Sequence, residues 1–291
     1  MQLQVAFKAA TASGIRGHGT PWHSCGHGTP WHLRPLPEAF AALAREGEGE
    51  RAQGRAEASP RYPVAFMRPR LVAFARHLSY LRRMIVEPRI ESYIASLGAQ
   101  PDPVLAAMEA LAERRHFPIV GRQTGSLLSL FAKAVGARRV LELGSGYGYS
   151  ALWFARALPE DGMVICTDHS SDNRDLALGY FRTAGLEKRV EFHVGNALAI
   201  ARDQKPGFDV IFNDIDKEDY AASVPLAVSL LRSGGLFITD NTLWKGKVVE
   251  ADTSDALVES VRAFNKLVFS RPDLETVLLP VRDGITVCRK K

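Results

Sequence analysis

The chain has 291 residues, 46% of them apolar, and a formal net charge of +5. That is enough for one large α/β domain with an extension, and no uninterrupted apolar run approaches the ~18 residues of a membrane span. Residues 1–83 hold 12 Lys and Arg against 5 Asp and Glu, leaving 25 against 27 in residues 84–291, so the basic excess is N-terminal and the remainder offers no nucleic-acid-binding surface.

Residues 1–66 read as a disordered extension. Gly17-His18-Gly19-Thr20-Pro21-Trp22-His23 recurs as Gly26-His27-Gly28-Thr29-Pro30-Trp31-His32, but two copies do not make a repeat architecture. Residues 45–62 are rich in Arg, Glu, Gly and Ala without an apolar period, and such a segment buries too little to offset its ordering entropy. The four histidines of the repeat are an alternative transition-metal site, and Met67 or Met84 is an alternative start. No secretory-signal pattern is present.

Residues 67–135 read as a helical cover, with helices over 71–86, 90–97, 103–113 (opened by Asp102 and Pro103) and 126–135. Residues 136–291 read as an alternating core. Strands are expected over 139–143, 163–168, 190–194, 208–213 and 235–240, with helices near 149–158, 172–184, 197–203 and 218–231. This alternation predicts a mostly parallel sheet with helices on both faces, a Rossmann-like α/β fold. After a helix over 254–269, strands 275–279 and 284–289 are joined so closely that they must form a hairpin, which makes the last strand antiparallel. Cys25, Cys166 and Cys288 show no paired spacing; the last two sit in apolar runs as buried thiols, which fits a reducing, cytoplasmic compartment.

Three strings carry chemistry. Val140-Leu141-Glu142-Leu143-Gly144-Ser145-Gly146-Tyr147-Gly148-Tyr149-Ser150 leads from the first strand into a helix, and its glycines let a ligand approach the backbone. Alone it fits dinucleotide and adenosyl cofactors alike, although Glu142 and the early third glycine depart from the nicotinamide fingerprint. Asp168, ending the second strand, can accept two ribose hydroxyls or cap the helix that starts near Ser170. The strings Asn213-Asp214-Ile215-Asp216-Lys217 and Thr239-Asp240-Asn241 each follow a buried strand, so they collect two carboxylates, a carboxamide and a lysine at one sheet edge. Oxygen ligands beside an amine suit a hard divalent metal with a base next to it. Each Asp has a helix-capping alternative, Lys217 a solvated one and Trp244 a core-packing one, while Asp209 reads as structural.

With these strings assembled, residues 84–291 resemble the class I metal-dependent S-adenosylmethionine O-methyltransferases, the caffeoyl-CoA and catechol O-methyltransferase group in its bacterial branch. Glu142-Leu143-Gly144 with Gly148-Tyr149-Ser150, Asp168, Asp214-Ile215-Asp216-Lys217, Asp240-Asn241-Thr242-Leu243-Trp244, and Leu279-Pro280 with Asp283-Gly284 match the family's segments in order. The resemblance implies that S-adenosylmethionine is held by Glu142, Gly144, Ser145, Gly146 and Gly148 of the turn. Tyr149, Ser150 and Asp168 join them, as do Asn196, Ala197 and Asp214. It implies Mg²⁺ (or Ca²⁺ or Mn²⁺) on Asp214, Asp240 and Asn241, and Lys217 as the general base. Trp244 and Asp216 lie on the substrate side, with Asp216 orienting Lys217 or touching the cofactor. A small hydroxylated substrate and a homodimer built through helices of residues 84–135 are further expectations. Gly195-Asn196-Ala197 departs from the family's Gly-Asp-Ala, which weakens an adenine-side contact, and Asn213 is polar where relatives are often apolar. The competing readings are a nicotinamide-dependent oxidoreductase, which leaves Glu142 and the metal segment unexplained, and a non-catalytic binding module, which would be expected to lose the lysine or a ligand.

Overall fold

A row of short apolar runs, each ended by Gly, Asp or Asn, builds the sheet on which everything else is mounted. The structure, a computed structural model, describes residues 85–98, 102–251 and 254–291. The expectations for residues 1–66, for the histidine repeat and for most of the helix over 71–86 lie outside these residues. In chain order the described helices are α1 (Pro88–Leu97), α2 (Pro103–Arg115), α3 (Gly121–Ala134), α4 (Tyr149–Ala157), α5 (Ser171–Thr183), α6 (Ala197–Arg202), α7 (Tyr220–Leu230) and α8 (Ala256–Ser270). The strands are β1 (Arg139–Leu143), β2 (Met163–Asp168), β3 (Val190–Val194), β4 (Phe208–Asn213), β5 (Leu231–Thr239), β6 (Leu274–Leu279) and β7 (Ile285–Lys290).

The seven strands lie in the order β3-β2-β1-β4-β5-β7-β6. β1 to β5 pair in parallel, and β7 runs antiparallel to both β5 and β6. This is the expected mostly parallel sheet with an antiparallel last strand. The central strands are buried on both faces, as crossover helices require. Val140, Phe212, Ile238 and Val287 face a core completed by Leu128, Phe154 and Phe181. Leu141, Leu143, Ile211 and Phe237 face a second core with Tyr220, Phe264 and Val268. The α3 and α4 helices approach so closely that a Cβ on Gly125 would lie 2.3 Å from Trp153 Nε1, which only glycine avoids.

Local signals account for most boundaries. Asp102 caps α2 by accepting from Leu105 N at 2.9 Å, with Pro103 in the first turn. Two boundaries differ from expectation by more than two residues. The α3 helix starts at Gly121 rather than Ser126, because its N-cap position is Val120, which makes no side-chain cap bond and leaves no sequence signal. The β5 strand starts at Leu231 rather than Gly235: Leu231 pairs with Phe208 ahead of a register shift, so Ser233-Gly234-Gly235 lies inside an irregular strand instead of ending the helix. Asp209 is structural as expected. Its Oδ2 accepts from the backbone of Arg138 and Arg139 at 2.8 Å each, and its Oδ1 pairs with Arg232 at 2.6 Å. Cys166 and Cys288 are buried free thiols. Among the described residues, no helix is long and apolar enough to cross a membrane.

Candidate active site

Leu143, Asn213 and Thr239 stand in register at the ends of β1, β4 and β5, so Gly144, Asp214 and Asp240 leave the sheet side by side. Ladder-like bonds continue past the strands: Asp214 N donates to Leu143 O at 2.8 Å and Asp240 N to Asn213 O at 3.1 Å. Gly144, at φ 82°, lies so near Asp214 that a Cβ would stand 2.4 Å from its carbonyl oxygen. The glycine turn and the Asp-x-Asp-Lys string therefore touch through their backbones, at the carboxyl edge where open α/β sheets bind ligands.

One cleft of about 1060 Å³ opens there. Along one side run Gly144, Ser145, Gly146, Tyr149 and Ser150, then Asp168 and the stretch from Gly195 to Leu198. Along the other run Asp214, Asp216, Lys217, Asn241, Trp244 and Asp283, with Phe117 to Val120 closing the end. Every sequence-predicted site residue except Glu142, Gly148 and Asp240 lines this cleft.

The glycine turn is fixed by its backbone N–H groups and by the side chains of Ser145 and Asp168. Ser145 N donates to Thr167 O at 2.8 Å, Thr167 N donates to Ser145 Oγ at 3.1 Å, and Gly146 N donates to Asp168 Oδ2 at 3.0 Å. Asp168 Oδ1 accepts from Ser170 N at 2.9 Å and Asn173 Nδ2 at 3.0 Å. The capping alternative for Asp168 does not hold: Ser170 is the N-cap of α5, accepting from Asn173 N.

Three of the sequence-predicted residues are also engaged within the fold. Glu142 lies behind the turn, wholly buried in β1. Neither carboxylate oxygen closes a hydrogen bond of ordinary geometry. Burial pushes its carboxyl up to about 7, although the nearby hydroxyls of Ser150 and Ser145 and the Cys166 thiol pull it down. Tyr149 borders the cleft, but its hydroxyl donates to Glu109 Oε1 of α2 at 2.7 Å, so its phenol ties helices together; burial, then Glu109, hold it well above the usual tyrosine range. Asn196 borders the cleft as well, with Oδ1 used to cap α6 from Ala199 N at 2.9 Å.

Lys217 is held on the other side. Its Nζ lies 3.4 Å from Asp214 Oδ1 and 3.2 Å from Ile215 O, which accepts from it. The ammonium also stands 4.9 Å from the Tyr220 ring centroid and 5.7 Å from that of Trp244. Its side chain is 11% exposed, against 28% for Asp214, and Asp216 is exposed at the mouth. Asp240 is 4% exposed. Tyr220 supports it by donating from its hydroxyl to Asp240 O at 2.8 Å. Asn241 adopts φ 57°, a left-handed conformation that Asn tolerates. Trp244 and Lys245 also have positive φ, so the segment after β5 turns sharply back into the cleft.

The two carboxylates repel one another. Burial raises both, and the Asp214 charge pushes Asp240 further up, while Lys217 draws Asp214 down. Among the described residues no three His, Cys, Asp or Glu side chains converge as a metal-binding group. The residues that could hold a hard cation are Asp214, Asp240 and Asn241, two carboxylates and a carboxamide, and a divalent cation would relieve the repulsion between the carboxylates.

Sequence reasoning gave no role to two neighbours. Asp283 accepts Leu243 N on its carbonyl at 2.8 Å and Lys245 N on its carboxylate, which fixes the segment after Asn241. Phe117 to Val120 precede α3 and fall within the predicted helical cover, yet no local pattern marks them as cleft residues.

Residues 99–291 match the O-methyltransferase family model. The chain is 35% identical over 204 residues to caffeoyl-CoA O-methyltransferase 1 of Eucalyptus globulus, covering 66% of this chain and 82% of that protein. It is similar to the crystal structure of the O-methyltransferase TomG of Streptomyces achromogenes, involved in tomaymycin synthesis and solved with S-adenosylmethionine, at 31% identity and TM-score 0.63, covering 70% of this chain and 96% of that one. The Bacillus cereus O-methyltransferase, solved with S-adenosylhomocysteine, superposes with TM-score 0.65 at 28% identity, covering 70% and 97%. A shared fold and a family match over residues 99–291 lead to one conclusion: this chain belongs to the O-methyltransferase family.

Proposed function

We propose that this O-methyltransferase moves the methyl group of S-adenosylmethionine onto a hydroxyl of a small aromatic molecule, one of two adjacent phenolic hydroxyls, with a divalent metal, Mg²⁺ in the first instance, on Asp214, Asp240 and Asn241. The observation that carries this reading is Lys217 Nζ held 3.4 Å from Asp214 Oδ1 in the cleft that also holds the glycine turn. The kinship to a caffeoyl-CoA O-methyltransferase and to TomG, solved with S-adenosylmethionine, supports it.

The residues divide the work. The backbone of Gly144 to Gly146, with Ser150, Asp168 and Ala197, forms the wall for the donor. Lys217 is the general base. A phenolic hydroxyl titrates near 10, roughly as tyrosine does, so at neutral pH its proton must be removed. A divalent cation would supply charge for the developing oxyanion and orient adjacent oxygens. Trp244 offers a flat wall for a ring, and Asp216, exposed at the mouth, lies nearest the solvent end of the acceptor. The protein's main remaining task is to align the reacting atoms, which can contribute about 7–11 kcal/mol.

The apolar side of α1, with Ile90, Tyr93 and Leu97 50–67% exposed and no residue buried, supports a homodimer through the N-terminal helices. Buried free Cys166 and Cys288 fit a reducing, cytoplasmic setting.

The test is an ortho-diphenol panel with methyl-labelled S-adenosylmethionine. Label in a methyl ether, its loss on adding a chelator and its return with Mg²⁺ are expected. Tight NAD binding without S-adenosylmethionine binding would sink the reading.

A further inference from the structure

The tip of the β6–β7 hairpin meets two segments that line the cleft, residues 241–245 and residues 117–120. Asp283 and Gly284 hold one of them: Thr242 N donates to Gly284 O at 3.0 Å and Leu243 N to Asp283 O at 2.8 Å. Arg282 holds the other. Its Nη1 donates to Ile119 O at 3.1 Å and also to Val120 O. These partners lie more than 160 residues away in sequence, so the contact is tertiary and bridges the hairpin to the segment before α3.

Arg282 makes this contact from an unfavourable backbone. Its φ is 49°, a left-handed conformation that costs an L side chain free energy and that glycine would adopt freely. A position whose local conformation suits glycine carries an arginine whose guanidinium reaches across the cleft rim. Gly121 completes the seat: at φ 72° it leaves room for the guanidinium, and a Cβ there would stand 3.3 Å from Nη1. An observed strained residue with a specific long-range bond points to a role at the site it serves.

The segment it grips has a second, independent anchor. Phe117 packs edge-on against Tyr147 with centroids 4.9 Å apart, and lies so near the glycine turn that a Cβ on Gly146 would touch its ring at 3.0 Å. Tyr147 is fixed in turn by donating its hydroxyl to Met108 O at 2.9 Å. Residues 117–120 thus span the cleft from the glycine turn to the hairpin, seated at Phe117 by packing and at Ile119 and Val120 by Arg282.

We propose that Arg282 is a specificity-determining positioning residue for the acceptor. By tying residues 119 and 120 to the hairpin tip it sets how far that segment stands from the Lys217 and Trp244 side, and so which hydroxylated rings fit. The proposal rests on the reading that the Lys217 end receives the acceptor. Its consequence is an asymmetry: loosening Arg282 frees the hairpin end of the segment, while Phe117 keeps the glycine-turn end in place.

Arg282→Gly tests this, because glycine relieves the positive φ and the variant is expected to melt no lower than wild type. Amide exchange over residues 117–121 should quicken about tenfold. The KM for a small ortho-diphenol should rise about tenfold while kcat and the dissociation constant of S-adenosylmethionine stay within about twofold, the pattern of lost acceptor binding. Arg282→Lys, which keeps the charge but offers a point donor in place of a planar fork, should fall between the two. Unchanged exchange and unchanged acceptor KM in Arg282→Gly would overturn the proposal, as would a loss of donor affinity equal to the loss for the acceptor. If wild type methylates no hydroxyl in the panel, the functional reading fails, and the exchange rates still decide whether Arg282 holds the segment.

Discussion

The two sides of the cleft are held by different means. On the glycine-turn side, proposed for the donor, the backbone N–H groups of Gly144, Ser145 and Gly146 donate to Thr167 Oγ1, Thr167 O and Asp168 Oδ2. On the Lys217 side, proposed for the acceptor, Asp214, Lys217, Asp240 and Asn241 depend on side-chain charges, on the Tyr220 hydroxyl and on a hairpin drawn from the far end of the chain. A wall built on backbone donors tolerates change in its own side chains as long as its glycines and the Thr167 and Asp168 acceptors remain. A wall built from charges and long-range contacts concentrates chemistry and selectivity in a few side chains. The same sheet edge can thus keep one donor while acceptors differ.

The sharpest way to break that contrast is Lys217→Met, which keeps the length and apolar stem and removes the amine. It should lower kcat by about 10²–10⁴, the range expected for a lost general base. Donor affinity measured by calorimetry should stay within about threefold, because the turn does not use this side chain. A donor affinity that fell in step with kcat would mean that the two sides act as one unit.

A smaller effect probes what lies beneath the donor wall. Glu142 titrates near 7 in the folded protein against an ordinary 4.5, because burial disfavours its charge. Between those values the folded chain holds a proton that the unfolded chain has released. The associated stability is therefore fully present below pH 4.5 and is lost as pH rises through 7. A rise of that size corresponds to about 3 kcal/mol. Glu142→Gln should remove this slope, so the variant should gain on wild type in urea melts as pH goes from 5 to 8. Asp214 and Asp240 are also raised and add a fall of the same sign to both proteins; the Glu142 charge is one of the groups that raise Asp214, so that part of the Asp214 fall disappears with Glu142 as well. Parallel pH profiles for the two proteins would show that Glu142 is not protonated where its burial implies.

How much of this was legible in sequence follows the same division. The strands β1 to β4 and the closing hairpin stand where their apolar runs and bounding Gly, Asp and Asn residues put them, since those signals are local. Gly144, Asp214, Lys217, Asn241 and Trp244 meet in one cleft because parallel strands bring their carboxyl ends together whatever the intervening helices contain. What a linear reading misses is where side chains turn after leaving the backbone. Tyr149 sends its hydroxyl to Glu109 of α2, forty residues back, and Glu142 faces the core behind the turn it precedes. Arg282 has no local pattern at all; its role arises from a bond to residues 119 and 120 that only the folded chain creates.

Asn196 offers the finest discrimination on the donor side. Its Oδ1 accepts from Ala199 N, so Asn196→Ala should cost about 1 kcal/mol of stability through the lost cap. Asn196→Asp keeps the acceptor and adds a negative charge at the helix N-terminus, and should be as stable as wild type or slightly more so. If the donor side is a backbone wall, both variants bind S-adenosylmethionine with wild-type affinity, and only the melting temperature of the alanine variant falls. Should both lose donor affinity while the aspartate variant keeps its melting temperature, the Asn196 Nδ2 group, which the cap leaves free to donate, is a contact for the donor. The donor wall would then rest on side chains at one more point than its backbone bonds imply, and the contrast between the two sides would narrow there.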